Sequence, residues 1–167
     1  MAKIVRTISD DASVVATAID ATDIVSEIEQ IHKTSAVVTA ALGRLTIAAS
    51  LMGIGLKGEK DTLTLRMNGN GPTGALIAVA DSRGNVKSYV CNPVVEIPLN
   101  KYGKLDVAGA VGKEGTLSVV KDLGLKEPYC GQIPIASGEI AEDIAQYYVE
   151  SEQIPTCLLY TSDAADD

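Results

Sequence analysis

The sequence predicts a single α+β domain in which a mixed or antiparallel sheet of about six or more strands packs against helices. Two features indicate this fold. Short runs of alternating apolar residues, separated by turns rich in glycine and asparagine, follow one another from residue 59, as in an antiparallel meander. The stretch 35–56 is almost wholly apolar, which predicts a long helix covered by that sheet. The length of 167 residues fits one domain.

The first part of the chain predicts a hairpin followed by a helix. Two β-branched runs within 4–19 are separated by the polar turn DDAS, a pattern typical of paired strands. Asp20 or Thr22 can cap a helix over 22–32. The apolar positions that recur on one face of this helix are Ile24, Val25, Ile28 and Ile31.

The apolar stretch 35–56 carries a single charge, Arg44. Its length would also allow a membrane span. Because an arginine near the centre of a span is costly in lipid, a core helix is the preferred interpretation. A lone arginine among apolar residues needs an acceptor, so we expect Arg44 to contact a carboxylate or backbone carbonyls, within the chain or at a subunit contact.

The second half predicts five strands, a short helix and a terminal helix. The strands are DTLTLRMN, ALIAVADS, VKSYVC, TLSVVKDL and YCGQIPIAS, and KLDVAGAVG is the short helix. The segment SGEIAEDIAQYYVESEQ predicts the last helix, with Ser137 as its N-cap. Glu139, Glu142 and Asp143 would then lie near the positive helix end. The predicted buried stripe consists of Ile140, Ile144, Tyr147 and Tyr148.

Composition and charge argue against several classes of partner. The net charge is −8, which disfavours nucleic acid and anionic membrane surfaces. With no Phe and no Trp, the core must be aliphatic. The first residues lack the apolar region of a signal peptide, so we expect a cytoplasmic protein.

Residues that could support catalysis or metal binding are sparse. His32 is the single histidine, and the sequence contains no nucleophile motif with which it could form a catalytic pair. A structural or surface role is therefore favoured for His32, and the sequence does not predict an enzyme. Cys91, Cys130 and Cys157 form no CxC or CxxC pair, which argues against a zinc site or a disulfide framework in this chain. Isolated cysteines such as Cys91 and Cys130 are more typical of buried small hydrophobes than of reactive thiols.

One glycine motif allows a nucleotide-binding alternative. Residues 69–74, GNGPTG, match GxGxxG, and Glu96 lies at a distance suited to a ribose contact. Such a site needs a helix directly after the glycines. Pro72 and the following ALIAVAD favour a strand instead, so a hairpin turn is the preferred interpretation.

The C-terminal stretch differs in character from the rest of the chain. From Cys157 the string CLLYTSDAAD resembles one reading frame of a sequencing-library adapter. Residues 157–167 are therefore predicted to be a non-native tail, and 1–156 the natural domain. A genuine acidic tail is the alternative.

Three segments together carry a family resemblance from about Lys3 to Thr156. They are HKTSAVVTAALGRLTIAASLMG, LRMNGNGPTGALIAVAD and YCGQIPIASGEIAEDIAQYYVESEQIPT. In this order they resemble the 33-kilodalton chaperonin family, the redox-regulated heat-shock holdases of bacteria. The resemblance implies that residues 1–156 are an N-terminal substrate-binding and dimerisation domain.

The resemblance also implies how the longer protein works. Family members bind unfolding or oxidatively damaged client proteins without ATP, and they dimerise when active. Four cysteines in a C-terminal module hold Zn²⁺ as thiolates, and their oxidation to disulfides expels the metal and unfolds an adjacent linker. None of those four cysteines matches a cysteine of this chain. We therefore expect no cofactor here and Zn²⁺ in the full-length parent.

A holdase needs exposed apolar surface, and the meander strands are the candidates. One possible client-binding face carries Leu63, Leu65 and Met67. Alternate residues offer Val86, Tyr89 and Val94 instead. Strand addition at a sheet edge is a second route, and a purely structural oligomerisation module is the alternative function.

Overall fold

The computed structural model describes residues 2–160. Seven strands and four α-helices follow one another, and a π-helical turn, Tyr148–Glu152, extends the last helix. The strands are β1 (Lys3–Ile8), β2 (Val15–Asp20), β3 (Thr62–Asn68), β4 (Leu76–Asp81), β5 (Val86–Val90), β6 (Thr116–Asp122) and β7 (Tyr129–Pro134). The helices are α1 (Thr22–His32), α2 (Ala36–Gly53), α3 (Val107–Val111) and α4 (Ala141–Tyr147).

The strands form two antiparallel sheets, which confirms the predicted α+β class. Strands β1 and β2 make a separate hairpin. The other five form one sheet in the order β5-β4-β3-β6-β7. The long predicted helix is α2, and it packs against β3, β4 and β5.

The core lies between α2 and one face of the five-stranded sheet. Alternate residues of β3 and β4 point to α2 and are buried, while the residues between them are partly or fully exposed. This alternation is typical of an antiparallel sheet covered on one side. The fully buried large side chains are mainly aliphatic, as the composition predicts, and include Leu42, Leu45, Leu63, Leu65, Met67, Leu76 and Leu117.

Helix α2 is the stretch for which the sequence also allowed a membrane span. It is the one helix within residues 2–160 that is long and apolar enough to cross a membrane, and 67% of it is buried inside the fold. Because its apolar side chains are covered by the sheet and by α1, the preferred interpretation as a core helix accounts for its composition.

The glycine-rich turn at 69–74 lies directly against the end of α3. Gly71 N donates to Val111 O, and Thr73 N donates to Ala110 O, both at 3.1 Å. A Cβ atom on Gly69 would overlap the carbonyl oxygen of Gly112, so glycine is needed for this close approach. Strand β4 follows the turn, which rules out the helix that a dinucleotide site requires.

Three local predictions on helix ends and faces are wrong. Ile31 is 64% exposed, because α1 ends beside it and the core contact stops at Ile28. Asp20 accepts hydrogen bonds from Thr22 N and Oγ1, but α1 begins after Ala21 without a side-chain cap. Ser137 does not cap α4, which begins at Ala141.

Candidate functional site

The second face of the five-stranded sheet points away from α2 and is the candidate functional surface. We call it the open face. It consists of the outward side chains of all five strands, and two rows that cross the whole sheet make up its centre. One row is Tyr89, Ile77, Arg66, Ser118 and Gln132, and the other is Lys87, Val79, Thr64, Val120 and Cys130.

The open face is partly apolar and fully accessible at its edges. Ile77 and Val120 are half-buried, Val79 is 38% exposed and Tyr89 is 54% exposed. Their β-branched and aromatic shapes suit a pleated surface. Because small hydroxyl residues such as Thr64 separate them, the face is flat and mixed in polarity rather than continuously apolar.

Two cations lie within this surface. Arg66 is exposed at the centre of the sheet, between Ile77 and Ser118. Lys87 is exposed on the edge strand β5 and pairs with Val79. Asp81 and Asp122 lie one row further along on the same side of β4 and β6, so the face carries both signs of charge among its apolar positions.

The structure divides the predicted client-binding residues between core and surface. Leu63, Leu65 and Met67 are completely buried, so the prediction that they form an exposed surface is wrong for this fold. They face α2 because strand alternation places all three on the covered side. Val86 is half-buried and packs against the core, which also removes it from the open face.

The other two predicted residues are accessible. Tyr89 lies on the open face, where its ring meets the His32 ring edge-on with centroids 6.5 Å apart. Val94 is 62% exposed in the loop after β5. Their role in client binding stays a prediction. Sequence reasoning missed Ile77, Val79 and Val120, although the same alternation that marks the core strands also marks these outward positions.

Arg44 has the acceptor that its position in an apolar helix demands. Its Nη1 donates to Glu139 Oε2 at 3.0 Å, which confirms the expected carboxylate contact within the chain. Tyr160 Oη donates to the Arg44 carbonyl oxygen at 2.6 Å. Burial raises the pKa of Tyr160. The predicted non-native tail thus begins against α2, and residues 161–167 lie outside the described residues.

Asp143 organises the loop that carries Glu139. Asp143 lies in the first turn of α4, as the sequence predicts, but its side chain is completely buried instead of solvated. Its carboxylate accepts four backbone N–H bonds of 2.7–3.0 Å, from Ala136, Ser137, Gly138 and Ile140. These four hydrogen bonds hold Ile140 at a positive φ of 71°, a backbone angle that a β-branched residue rarely adopts.

A second polar cluster ties β6 to the π-helical turn. Glu152 Oε1 accepts a hydrogen bond from Tyr147 Oη at 2.9 Å and forms an ion pair with Lys121. Burial tends to raise the pKa of Glu152, but the bonds from Lys121 and Tyr147 outweigh it and lower that pKa. Burial, with hydrogen bonds to Tyr129 and Glu152, raises the pKa of Tyr147. The cluster therefore holds a carboxylate and a neutral phenol together at neutral pH.

The cysteines and the histidine occupy separate surface positions. Cys91, Cys130 and Cys157 are free and exposed, so the prediction that Cys91 and Cys130 are buried hydrophobes is wrong. Cys130 lies on β7 with its side chain toward solvent, and Cys91 lies just after the end of β5. Within residues 2–160, no group of three or more His, Cys, Asp or Glu side chains could hold a metal ion. The described residues therefore do not fit a four-thiolate zinc site.

Comparisons with known proteins point to one family. A family model described as "Hsp33 protein" matches residues 2–166. The 33 kDa chaperonin of Alkaliphilus metalliredigens is 47% identical over 156 residues, which cover 93% of this chain and 53% of that protein. The 33 kDa chaperonin of Acetivibrio thermocellus is 50% identical over 153 residues, covering 92% of this chain and 51% of that protein.

A solved structure agrees with the sequence comparisons. The crystal structure of the 33 kDa chaperonin (heat shock protein 33 homologue) of Thermotoga maritima aligns with a TM-score of 0.88 and 44% sequence identity. The alignment covers 96% of this chain and 56% of that one. The chain spans about half the length of the curated relatives it matches.

Proposed function

This chain belongs to the Hsp33 protein family, and on that premise we propose that it is the client-binding domain of an ATP-independent molecular chaperone, a holdase. Its activity is to bind unfolding proteins and keep them from aggregating. It performs no catalysis. Its partners are unfolded or oxidatively damaged proteins, not nucleic acid or membranes.

The open face is the observation that supports this proposal most directly. Exposed apolar patches on a folded domain mark interaction sites. Here Ile77 and Val79 lie on β4 and Val120 lies on β6, and Thr64 of the intervening strand β3 separates Val79 from Val120. An extended client segment presents side chains on alternate faces, so its apolar residues can meet these rows without a fixed sequence.

The free edges of the sheet offer a second mode of contact. Strands β5 and β7 each have a neighbour on one side only, so their outer backbone groups can pair with an added strand. Edge pairing uses the main chain of the client and is therefore independent of its sequence. This suits a chaperone that must accept many partners.

Suppression of aggregation tests the proposal. The 167-residue chain should reduce the light scattering of a thermally unfolding client protein in the absence of ATP. A Val79→Thr/Val120→Thr variant keeps the side-chain shape and strand propensity but lowers the apolar area of the open face. We expect it to lose at least half of the suppression while its thermal unfolding changes little. An inert parent chain would contradict the proposal.

A matched variant of the same face sharpens this test. Thr64 lies between Val79 and Val120 in one row. Thr64→Val adds apolar surface there without changing side-chain size, so it should increase suppression. Equal suppression by Thr64→Val and Val79→Thr/Val120→Thr would show that clients bind elsewhere.

The finer parts of the proposal concern the longer parent protein. We propose that it is cytoplasmic, acts as a homodimer, and is switched by oxidation of four zinc-binding cysteines outside this chain. The support is the family resemblance. Determining the genomic sequence beyond Thr156 tests the redox switch, because the four cysteines should appear as one CxC and one CxxC pair.

A purely structural oligomerisation module is the alternative function. It predicts a stable dimer with no affinity for clients. Sedimentation of the chain with and without an unfolded client separates the two functions, since only the chaperone should move with the client.

A further inference from the structure

Residues 97–105, IPLNKYGKL, form an exposed arm with a rigid tip between β5 and α3. Asn100 N donates to Lys104 O at 2.8 Å, and Gly103 N donates to Asn100 O at 2.9 Å. The Asn100 side chain accepts two more bonds, from Tyr102 N at 2.9 Å and Lys104 N at 3.1 Å. The tip is therefore held in one conformation by its own backbone.

The side chains at this tip are large, apolar and exposed. Tyr102 is 73% exposed, Leu99 59% and Leu105 39%. A tyrosine on a rigid turn loses little conformational entropy on binding, and such residues commonly anchor protein contacts. These three side chains contribute little to the core. A role in binding therefore explains why large apolar residues occupy these exposed positions better than a role in folding does.

The arm is also positively charged, in contrast to the rest of the chain. Lys101 and Lys104 are its only ionisable side chains apart from Tyr102, whereas the whole sequence has 22 acidic against 14 basic residues. Lys101 Nζ lies 4.9 Å from the centroid of the Tyr102 ring, in a cation–π arrangement. The tip thus combines an apolar contact surface with two exposed lysines, and the acidic residues Glu96 and Asp106 flank the arm at its two ends.

The segment leading into the arm is fixed to the core helix. Ser35, the residue before α2, donates through Oγ to Val95 O at 2.9 Å, and Val95 N donates to the same Oγ at 3.0 Å. Ser35 N also donates to Pro93 O at 2.9 Å. These bonds anchor the segment before the arm to the N-terminal end of α2, so the tip is presented from a stable base.

We propose that this arm is a client contact additional to the open face, and that it selects unfolded segments in which acidic residues accompany apolar ones. This inference rests on the proposed chaperone function and adds a preference of client chemistry to it. The apolar tip binds the hydrophobic residues, and the two lysines favour acidic neighbours by charge complementarity.

A tryptophan at the tip reports binding directly. The chain has no Trp, so the tryptophan fluorescence of a Tyr102→Trp variant arises from the arm alone. Three Trp-free peptides with the same apolar residues, and with acidic, neutral or basic polar residues, serve as unfolded probes. The acidic peptide should shift the emission to the blue and bind about threefold more tightly than the neutral one. Added salt should reduce this preference.

Charge reversal tests whether the arm itself selects the acidic peptide, in contrast to nonspecific hydrophobic binding elsewhere on the chain. In the Tyr102→Trp background, Lys101→Glu/Lys104→Glu should reverse the preference toward the basic peptide. Lys126→Glu, an exposed substitution in the turn between β6 and β7, is the matched control and should keep the acidic preference. A preference unchanged by the arm reversal would overturn the inference.

The outcomes also distinguish this inference from the proposed function. If the parent chain fails to suppress aggregation, the chaperone proposal itself fails. If it suppresses aggregation but the arm reversal leaves the peptide preference intact, only the arm inference fails. A blue shift that grows with the concentration of the chain, without peptide, would show that the tip meets a second copy, which would also overturn the inference.

Discussion

Replacing Asp143 with alanine should destabilise the chain strongly. The side chain is completely buried, and its two oxygens are shared evenly among four backbone donors. Oδ1 accepts at 2.7 and 2.9 Å and Oδ2 accepts twice at 3.0 Å; the donors are Ala136, Ser137, Gly138 and Ile140. Removal of the carboxylate leaves these N–H groups without an acceptor in a loop that packs on the core.

The expected loss follows from these four bonds. Hydrogen bonds to a charged group contribute roughly 1.5–3 kcal/mol each, so four would sum to about 6–12 kcal/mol. Water entering the loop, and relief from burying a charge, offset about half of this. We therefore expect Asp143→Ala to lower the free energy of unfolding by about 3–6 kcal/mol. Asp143→Asn keeps one acceptor oxygen but turns an NH₂ group toward two donors, so it should lose about 2–3 kcal/mol.

Urea denaturation followed by circular dichroism measures the effect. With a denaturant slope of about 1–3 kcal/mol per molar, a loss of about 2–3 kcal/mol should lower the midpoint for Asp143→Asn by roughly 0.7–3 M. Glu142→Ala removes the adjacent, exposed carboxylate of α4 and is the matched control, with a change below about 0.5 kcal/mol. If Asp143→Asn and Glu142→Ala have the same midpoint, the four bonds do not stabilise this loop.

Two further predictions concern turns. Gly112→Ala places a Cβ against the Gly69 carbonyl oxygen at a φ of 86°, and thermal unfolding should show a loss of stability above about 2 kcal/mol. Gly124→Ala, at a φ of 69° in open space, is the control and should lose only about 1 kcal/mol. Equal losses of stability in the two variants would contradict the close approach of Gly112 to Gly69. Hydrogen bonds from the Ser9 and Ser13 hydroxyls lower the pKa of Asp11 to about 2, below the ordinary 3.8. The turn is therefore favoured above about pH 4 and loses this contribution as the pH falls through about 2. The protection of the Ser13 amide, which is its exchange rate relative to an unstructured peptide at the same pH, should therefore fall only there, and Asp11→Asn should show no such pH-dependent loss.

The elements of this fold could be predicted from local patterns in the sequence. Alternating residues in β3 and β4, the apolar run of α2 and the turn chemistry at 69–74 each depend on neighbours a few positions away. The family resemblance likewise depends on contiguous segments. Arg44 in an apolar helix was enough to predict an acceptor, a carboxylate or backbone carbonyls, because an unpaired guanidinium is costly there.

The sequence alone determined the strands, the helices and the need for a partner at Arg44, because hydrophobic periodicity and turn residues act over short distances. Only the tertiary structure decided that Leu63, Leu65 and Met67 are core while Val79 and Val120 are surface, and that Asp143 is buried. A strand with period two has two equivalent faces, and the choice between them is made by where α2 packs. That packing brings together residues that are far apart in the chain, and a pattern of neighbouring residues cannot predict it.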